Sequence, residues 1–297
     1  MTHTSVLLQE SIDGLAITVG DVFLDCTING GGHSEEVAKR FGQAVQIIGI
    51  DMDESALQRA EKRLLVQKAK FLLAQDNFRN ADKVLEKFGI QQANKILYDL
   101  GLSSNQFEDS GRGFSFQKDE PLLMTFKEKP TESDLTVKEI LNNWDEENIA
   151  DVIYGYGGET FSRRIAKGIV EARAVKPIET TGELVEIIKN ATPAPYHRRK
   201  IHFATKTFQA LRITANDEIR ALKEGLEKGY SILAPKGRMA VISFHSIEDR
   251  IVKQFFKSKE KAEEAILITK KPIVPSREEV VKNPRSRSSK LRILEKR

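Results

Sequence analysis

Residues 26–41 read CTINGGGHSEEVAKRF, and the fold of the chain turns on them. Three consecutive glycines, Gly30, Gly31 and Gly32, stand between a short apolar run, Val22-Phe23-Leu24, and a segment from Glu35 to Phe41 with helical character. Glycine loses more conformational freedom on folding than any other residue, so three together imply a backbone that comes too close to something to carry side chains. A strand running into such a turn and then a helix places amide N–H groups and the positive end of a helix dipole at the carboxyl edge of a sheet, where open α/β folds bind ligands. The usual companion is an acid about 20 positions on, closing the second strand, for a ribose hydroxyl. Asp51 stands there, directly after IIGI, and Asp53 is placed to cap the following helix. A tight strand-to-helix turn without a ligand is the plainer alternative.

Around this turn, VFLDCT (22–27), VQIIGIDM (45–52), KFLLAQD (70–76) and KILYDL (95–100) have the length and branched apolar content of buried strands, with helical stretches at 33–41, 53–68 and 79–88. Strand and helix in alternation predict a parallel sheet with right-handed crossovers. The pattern stops from about 105 to about 205, where helical or loop segments such as 159–174 and 180–190 take over. It resumes with Phe208, Leu211, Ala215, Ile219, Leu222 and Leu226, whose spacing predicts one long amphipathic helix. GRMAVISF (237–244) reads as a strand and Ile247–Phe256 as a helix, while AILITK (265–270) and KLRILEK (290–296) read as an antiparallel closing pair. The expected architecture is a doubly wound α/β sheet domain, 1–105 with 206–297, interrupted by a mostly helical insert, 106–205.

A chain of 297 residues with 40% apolar content can bury one large core or two ordinary ones. The single cysteine, Cys26, excludes an internal disulfide and a cysteine-rich zinc site, and no metal is expected. No basic stretch followed by an apolar segment opens the sequence and no run is long enough to span a bilayer, so a cytoplasmic, membrane-free protein is expected. The net charge of +4 matters less than its distribution. Residues 128–160 hold nine acids and two bases, residues 161–213 eleven bases and four acids, and the last sixteen residues seven bases and one acid. Solvated helix faces or a surface for phosphates both fit this polarity.

The turn lacks the dinucleotide fingerprint G-x-G-x-x-G, and the phosphate-loop lysine is missing, which disfavours NAD or ATP and points to a smaller adenosine ligand such as S-adenosylmethionine. Phe78, after the third strand, is a candidate adenine wall, although most phenylalanines are core. Asp99 ends the fourth strand, where the reactive end of such a ligand would reach. His245, just beyond a later strand, is a second candidate for proton transfer, with a structural hydrogen-bonding role as the plainer alternative. The loop TPAPYHRRK offers Arg198, Arg199 and Lys200 beside an aromatic, with Arg163, Arg164 and Lys167 on a helical face and Arg285, Arg287, Lys290 and Arg292 in the tail as further phosphate contacts.

The sequence resembles the RsmH (MraW) methyltransferases over nearly its whole length. The likeness rests on HTSVLLQE (3–10), CTINGGGHS (26–34), DMDESALQRA (51–60), DLGLSSNQF (99–107), RGFSF (112–116), FQALRITANDEI (208–219), GRMAVISFHSIEDRIVK (237–253) and NPRSRSSKLR (283–292), in that order. It implies a Rossmann-like, seven-stranded class I methyltransferase sheet with a helical insert. The implied activity is methyl transfer from S-adenosylmethionine to the exocyclic N4 amine of a cytidine in 16S ribosomal RNA, with the assembled small subunit as partner. It further implies that Gly31, Gly32 and His33 meet the methionine and ribose part of the cofactor, that Asp51 takes the ribose, that Phe78 borders the adenine, and that Asp99 and Gln106 lie beside the sulfonium. The chain departs from the family pattern at Ser5 and Phe203, where the family has proline, and at Leu123 and Thr125, where it has aspartate and arginine. The departures at Leu123 and Thr125 are the best support for the alternative, a noncatalytic RNA-binding or ribosome-assembly protein with a methyltransferase-like fold. A monomer and a homodimer are equally compatible with the sequence.

Overall fold

The computed structural model describes residues 5–101, 110–128, 130–131 and 134–297. The chain forms two compact units, Met1–Ser103 with Ile219–Arg297, and Ser104–Glu218.

The first unit is built on seven strands: β1 (Val22–Asp25), β2 (Gln46–Asp51), β3 (Lys70–Gln75), β4 (Ala93–Asp99), β5 (Leu233–Ser243), β6 (Ala265–Leu267) and β7 (Lys290–Lys296). They lie side by side in the order β3-β2-β1-β4-β5-β7-β6. The first five are parallel, and β7 runs antiparallel to both β5 and β6. This is the Rossmann-like, seven-stranded sheet that the resemblance implies. The order reverses between β1 and β4, so the carboxyl ends of those strands open the crevice in which doubly wound sheets bind ligands.

Neighbouring residues along each strand point to opposite faces, and both faces are covered. Phe23, Ile47, Leu97 and Ile242 face a core shared with α1 (Leu8–Leu15), α2 (Gly32–Phe41) and α3 (Glu54–Val66). Leu24, Ile48, Ile96 and Val241 face another, closed by α4 (Ala81–Lys87) and by helices from the C-terminal part of the chain.

The second unit contains α5 (Val137–Asn143), α6 (Glu146–Gly157), α7 (Ser162–Val175), α8 (Thr181–Ala191), α9 (Ala194–His197) and α10 (Thr205–Ala215) among the described residues. Its helix starts are written in the sequence. Thr136 with Glu139, and Thr180 with Glu183, form reciprocal capping boxes that satisfy the first orphan N–H groups of α5 and α8.

One expectation fails. The apolar spacing from Phe208 to Leu226 does not make one helix: α10 ends at Ala215, and α11 (Glu218–Ile232) begins after a break at which Asp217 adopts a left-handed φ of 49°. Asn216 makes the break, because its Oδ1 accepts from the Phe126 N–H at 2.8 Å while its Nδ2 donates to the Met124 carbonyl at 2.7 Å. The seam between units accordingly falls at 218/219, where 205/206 was expected, and the first seam falls at 103/104 against 105/106. The strand expected over 265–270 is shorter, Ala265–Leu267, and is followed by direct bonds from Ile268 and Thr269 N–H to the Ile293 carbonyl. The remaining C-terminal helices are α12 (Ser246–Lys261) and α13 (Arg277–Lys282).

Candidate active site

Three of the parallel strands end in a carboxylate: Asp25 on β1, Asp51 on β2 and Asp99 on β4. Asp51 remains partly exposed, and each of its oxygens already takes one backbone N–H: Oδ2 from Asn29 at 2.8 Å and Oδ1 from Asp53 at 2.9 Å. Burial beneath the turn pushes its pKa up to about 6 despite those two bonds. Asp53 caps α3 as its position implied, accepting from Ser55 N at 3.0 Å.

Asp99 is buried, and desolvation pushes its pKa up to about 7, with the charges of Asp25 and Glu248 adding to the effect. Its Oδ1 accepts from Gly101 N at 3.2 Å, and its own N–H donates to Thr27 Oγ1 at 2.6 Å, which ties the end of β4 to the end of β1. Asp25 is the residue that the sequence reading passed over. Its Oδ2 accepts from Ser34 Oγ at 2.7 Å, joining the end of β1 to the first turn of α2, and burial pushes its pKa up to about 7. The signal was available: VFLD ends in an acid as IIGID does.

The glycine turn comes close chiefly to the protein itself. Gly31 has φ of 79°, and a Cβ there would stand 2.9 Å from the Cα of Ala60 in α3. A Cβ at Gly32 would meet Ser5 Oγ at 2.0 Å. Gly30 is different: among the described residues the nearest atom is Arg59 Nε at 4.0 Å, so the space left by a missing side chain is at Gly30.

His33 is buried at the start of α2. Its Nε2 lies 3.1 Å from the Val6 carbonyl, which can only accept, so that nitrogen carries the hydrogen; Nδ1 stands 3.8 Å from Asp99 Oδ2. The structure thus brings Gly31, Gly32, His33, Asp51 and Asp99 to one sheet edge. Phe78 follows β3 but packs edge-on against Tyr98, with ring centroids 5.6 Å apart, and lies against Gly225. It is part of the core cluster while remaining partly exposed. Gln106 lies outside the described residues.

His245 is the N-cap of α12: its Nδ1 accepts from Glu248 N at 3.4 Å, while Glu248 Oε2 takes the N–H groups of Phe244 at 2.7 Å and His245 at 3.2 Å. The Nδ1 lone pair is committed to a helix cap.

In the second unit, Arg163, Arg164, Arg198, Arg199 and Lys200 are all exposed. Two of these separate segments meet through stacked rings. Arg164 lies over Phe161 at 5.8 Å, Phe161 and Tyr196 are 5.1 Å apart edge to face, and Arg199 lies over Tyr196 at 4.7 Å. Glu159, fully buried beneath them, accepts from both the Tyr196 hydroxyl and the Phe161 N–H. In the tail the expectation divides. Arg287 is exposed and Arg285 partly so, but Lys290 and Arg292 belong to β7 and both pair with Asp249, at 3.1 and 2.7 Å, so those two are structural cations.

The departures from the family pattern are accommodated by packing. Thr125 is buried, and the buried Arg112 of RGFSF donates to the carbonyls of Thr125 and Phe126 at 3.2 and 2.7 Å. Phe203 stacks on His202 with centroids 4.2 Å apart.

Chemically, the sheet edge offers a partly exposed carboxylate with spare lone pairs for a vicinal diol, open backbone at Gly30, and a buried carboxyl of near-neutral pKa. Those features fit the ribose and the reactive end of a nucleoside cofactor, with Asp51 and Gly30 to Gly32 holding it.

Comparison with known proteins gives the same direction. The model of the MraW methylase family matches residues 1–297. A protein named ribosomal RNA small subunit methyltransferase H from Brevibacillus brevis is 42% identical over 309 aligned positions, covering 99% of this chain and 98% of the relative. One of the same name from Symbiobacterium thermophilum is 44% identical, covering 99% of this chain and 96% of the relative. Among solved structures, an rRNA methylase from Streptococcus thermophilus aligns over 99% of both chains at 12% identity with a TM-score of 0.46. With a family model matched from end to end and relatives above 40% identity across the chain, the protein belongs to the MraW methylase family.

Proposed function

We propose that this protein is an S-adenosylmethionine-dependent methyltransferase of ribosomal RNA that modifies the N4 amine of a cytidine in the small-subunit RNA. The relatives' names supply the reaction class and the RNA; the N4 position comes from the resemblance seen in the sequence. The observation that carries the reading is the row of carboxylates at the switch point, Asp51 suited to a ribose and Asp99 to a proton, at one sheet edge of a chain of this family.

When bound, the cofactor supplies a methyl group already activated by its sulfonium. The chain's own tasks are then alignment, shielding and proton transfer. Asp51 would hold the ribose by its remaining lone pairs, with the glycine turn beside the methionine portion. Holding the amine in line with the methyl group would supply much of the rate enhancement. A cytosine amine is a poor nucleophile because its lone pair is delocalised into the ring. Asp99, accepting one amine N–H, would localise that lone pair on the nitrogen and would take the amine proton released when the cofactor's methyl group is transferred. His245 is the weaker candidate because Glu248 N–H already occupies its Nδ1. Phe78 borders the adenine with its exposed part, and Arg198, Arg199, Lys200, Arg163, Arg164, Arg285 and Arg287 contact RNA phosphates, with the assembled small subunit as the working partner.

The decisive experiment incubates the protein with methyl-labelled S-adenosylmethionine and small ribosomal subunits, then digests the RNA to nucleosides for mass analysis. N4-methylated cytidine is the expected product. Labelled RNA carrying the methyl elsewhere would overturn the N4 position, and absence of transfer despite cofactor binding would favour a noncatalytic RNA-binding protein.

A further inference from the structure

Building on the reading of RNA as substrate, we infer that the pocket between α6 and the start of α7 is a stacking site for an unpaired base of the bound strand, with Tyr154 as its platform. The pocket has a volume of about 270 Å³ and is lined by Asp151, Tyr154, Thr160, Phe161, Arg163 and Arg164. That is just below the roughly 300 Å³ at which drug-sized sites begin, which suits one flat base with its sugar outside.

Helix α6 is anchored by Ile149, Ala150 and Ile153, while Tyr154 beside them is 64% exposed. Arg163 and Arg164 occupy the first turn of α7, where the helix dipole disfavours cations, and among the described residues neither pairs with a carboxylate. Helices α5, α6 and α8 of this unit instead carry glutamate in the first turn, Glu139, Glu146 with Glu147, and Glu183. An incoming phosphate would reverse the sign of this local cost.

The surroundings extend the surface in two directions. Arg164 also walls a second pocket, of about 480 Å³, with Lys167 and Asn190, so a phosphate held by Arg164 has room for a nucleoside on either side. Through Phe161 and Tyr196 the same arginine connects to Arg199, and buried Glu159 accepts from the Tyr196 hydroxyl and the Phe161 backbone N–H. Cations that track a backbone beside exposed aromatic rings are the physical signature of single-strand binding. Asp151 turns the inner pocket away from phosphate and toward the N–H groups on a base edge. A duplex keeps its bases stacked and cannot use the site.

The test measures anisotropy of a labelled single-stranded RNA and of a blunt-ended RNA duplex of equal length with the full chain. Tyr154→Ala is expected to weaken single-strand binding roughly 5- to 150-fold, the equivalent of one lost base stack, while leaving duplex binding unchanged. Tyr154→Phe, which keeps the ring, is expected to bind as the parent does and controls for folding, together with an unchanged melting temperature. Arg163→Ala is expected to weaken both RNAs and flatten the salt dependence. Equal single-strand affinity in the parent and Tyr154→Ala, or an equal loss on both RNAs, would overturn the stacking site while leaving the RNA reading standing. A parent protein that binds neither RNA would remove both.

Discussion

Nδ1 of His33 stands 3.8 Å from Oδ2 of Asp99, bringing the residue after the glycine turn against the end of the fourth strand. Burial dominates at Asp99: desolvation pushes its pKa up to about 7 although the Gly101 N–H bond pulls it down, and the charges of Asp25 and Glu248 add to the rise. Two properties that usually conflict then belong to one residue: a destabilising buried acid and a proton acceptor suited to neutral pH.

Asp99→Asn is therefore expected to lower the transfer rate by roughly 10²- to 10⁴-fold with little change in cofactor affinity. Its effect on stability has the opposite sign. The folded-state pKa lies above the ordinary 3.8, so the folded protein holds the proton longer than the unfolded chain. The cost is absent below about pH 4, grows between about 4 and 7, and is complete above 7. Melting scans across pH should show Asp99→Asn more stable than the parent at pH 8, by at most roughly 4 kcal/mol, and indistinguishable from it at pH 3.5. In the parent, the rate should rise through an apparent pKa near 7, and a flat profile would remove Asp99 from proton transfer.

Asp51 should behave differently, because its oxygens hold the backbone as well as the ligand. Asp51→Ala orphans the N–H groups of Asn29 and Asp53 and loses the ribose contact, so cofactor affinity should fall by roughly 100-fold or more. Asp51→Asn keeps one acceptor oxygen and should fall in between. Calorimetric titration with S-adenosylmethionine checks the order, and equal affinity in all three proteins would remove Asp51 from the ribose site.

Much of this was legible because it depends on local signals. The four strand ends, the Asp53 cap and the closing antiparallel pair follow from apolar runs and acids at fixed offsets, which the backbone reads over a few residues. What escaped depends on distant partners. Asn216 looks like any helix-surface residue until Phe126 and Met124 take both ends of its amide. Lys290 and Arg292 look like a free basic tail until strand β7 sets them on Asp249. Phe161 and Tyr196, 35 positions apart, give no sequence sign that they meet.

The glycine turn separates fold from ligand within one tripeptide. Gly31→Ala forces a Cβ onto the Ala60 backbone at a φ of 79° and should destabilise the protein by roughly 1–3 kcal/mol. Gly30→Ala meets only Arg59 Nε, at 4.0 Å, among the described residues, so its melting temperature should stay near the parent's while cofactor affinity drops. Thermal melts and titrations of the two variants check this, and unchanged affinity in Gly30→Ala would move the ligand away from that residue.

Glu159 is buried completely, yet it sits among groups read as RNA-binding. Its carboxylate takes the Tyr196 hydroxyl and the Phe161 N–H, and its charge, after burial, helps push the Tyr196 pKa up to about 12. Removing it leaves two donors without an acceptor, so Glu159→Ala should cost roughly 2–4 kcal/mol in a denaturant melt. Glu159→Gln retains one neutral acceptor and should cost less. Because Tyr196 carries Arg199 and Phe161 carries Arg164, RNA affinity should fall in the same order as stability. The proposed cofactor residues Gly31, Gly32, His33, Asp51, Phe78 and Asp99 lie in the first unit, so cofactor affinity should be the same in both variants. A variant that loses stability but keeps full RNA affinity would show that Glu159 holds the fold alone and that the two arginines do not need fixed rings to grip phosphate.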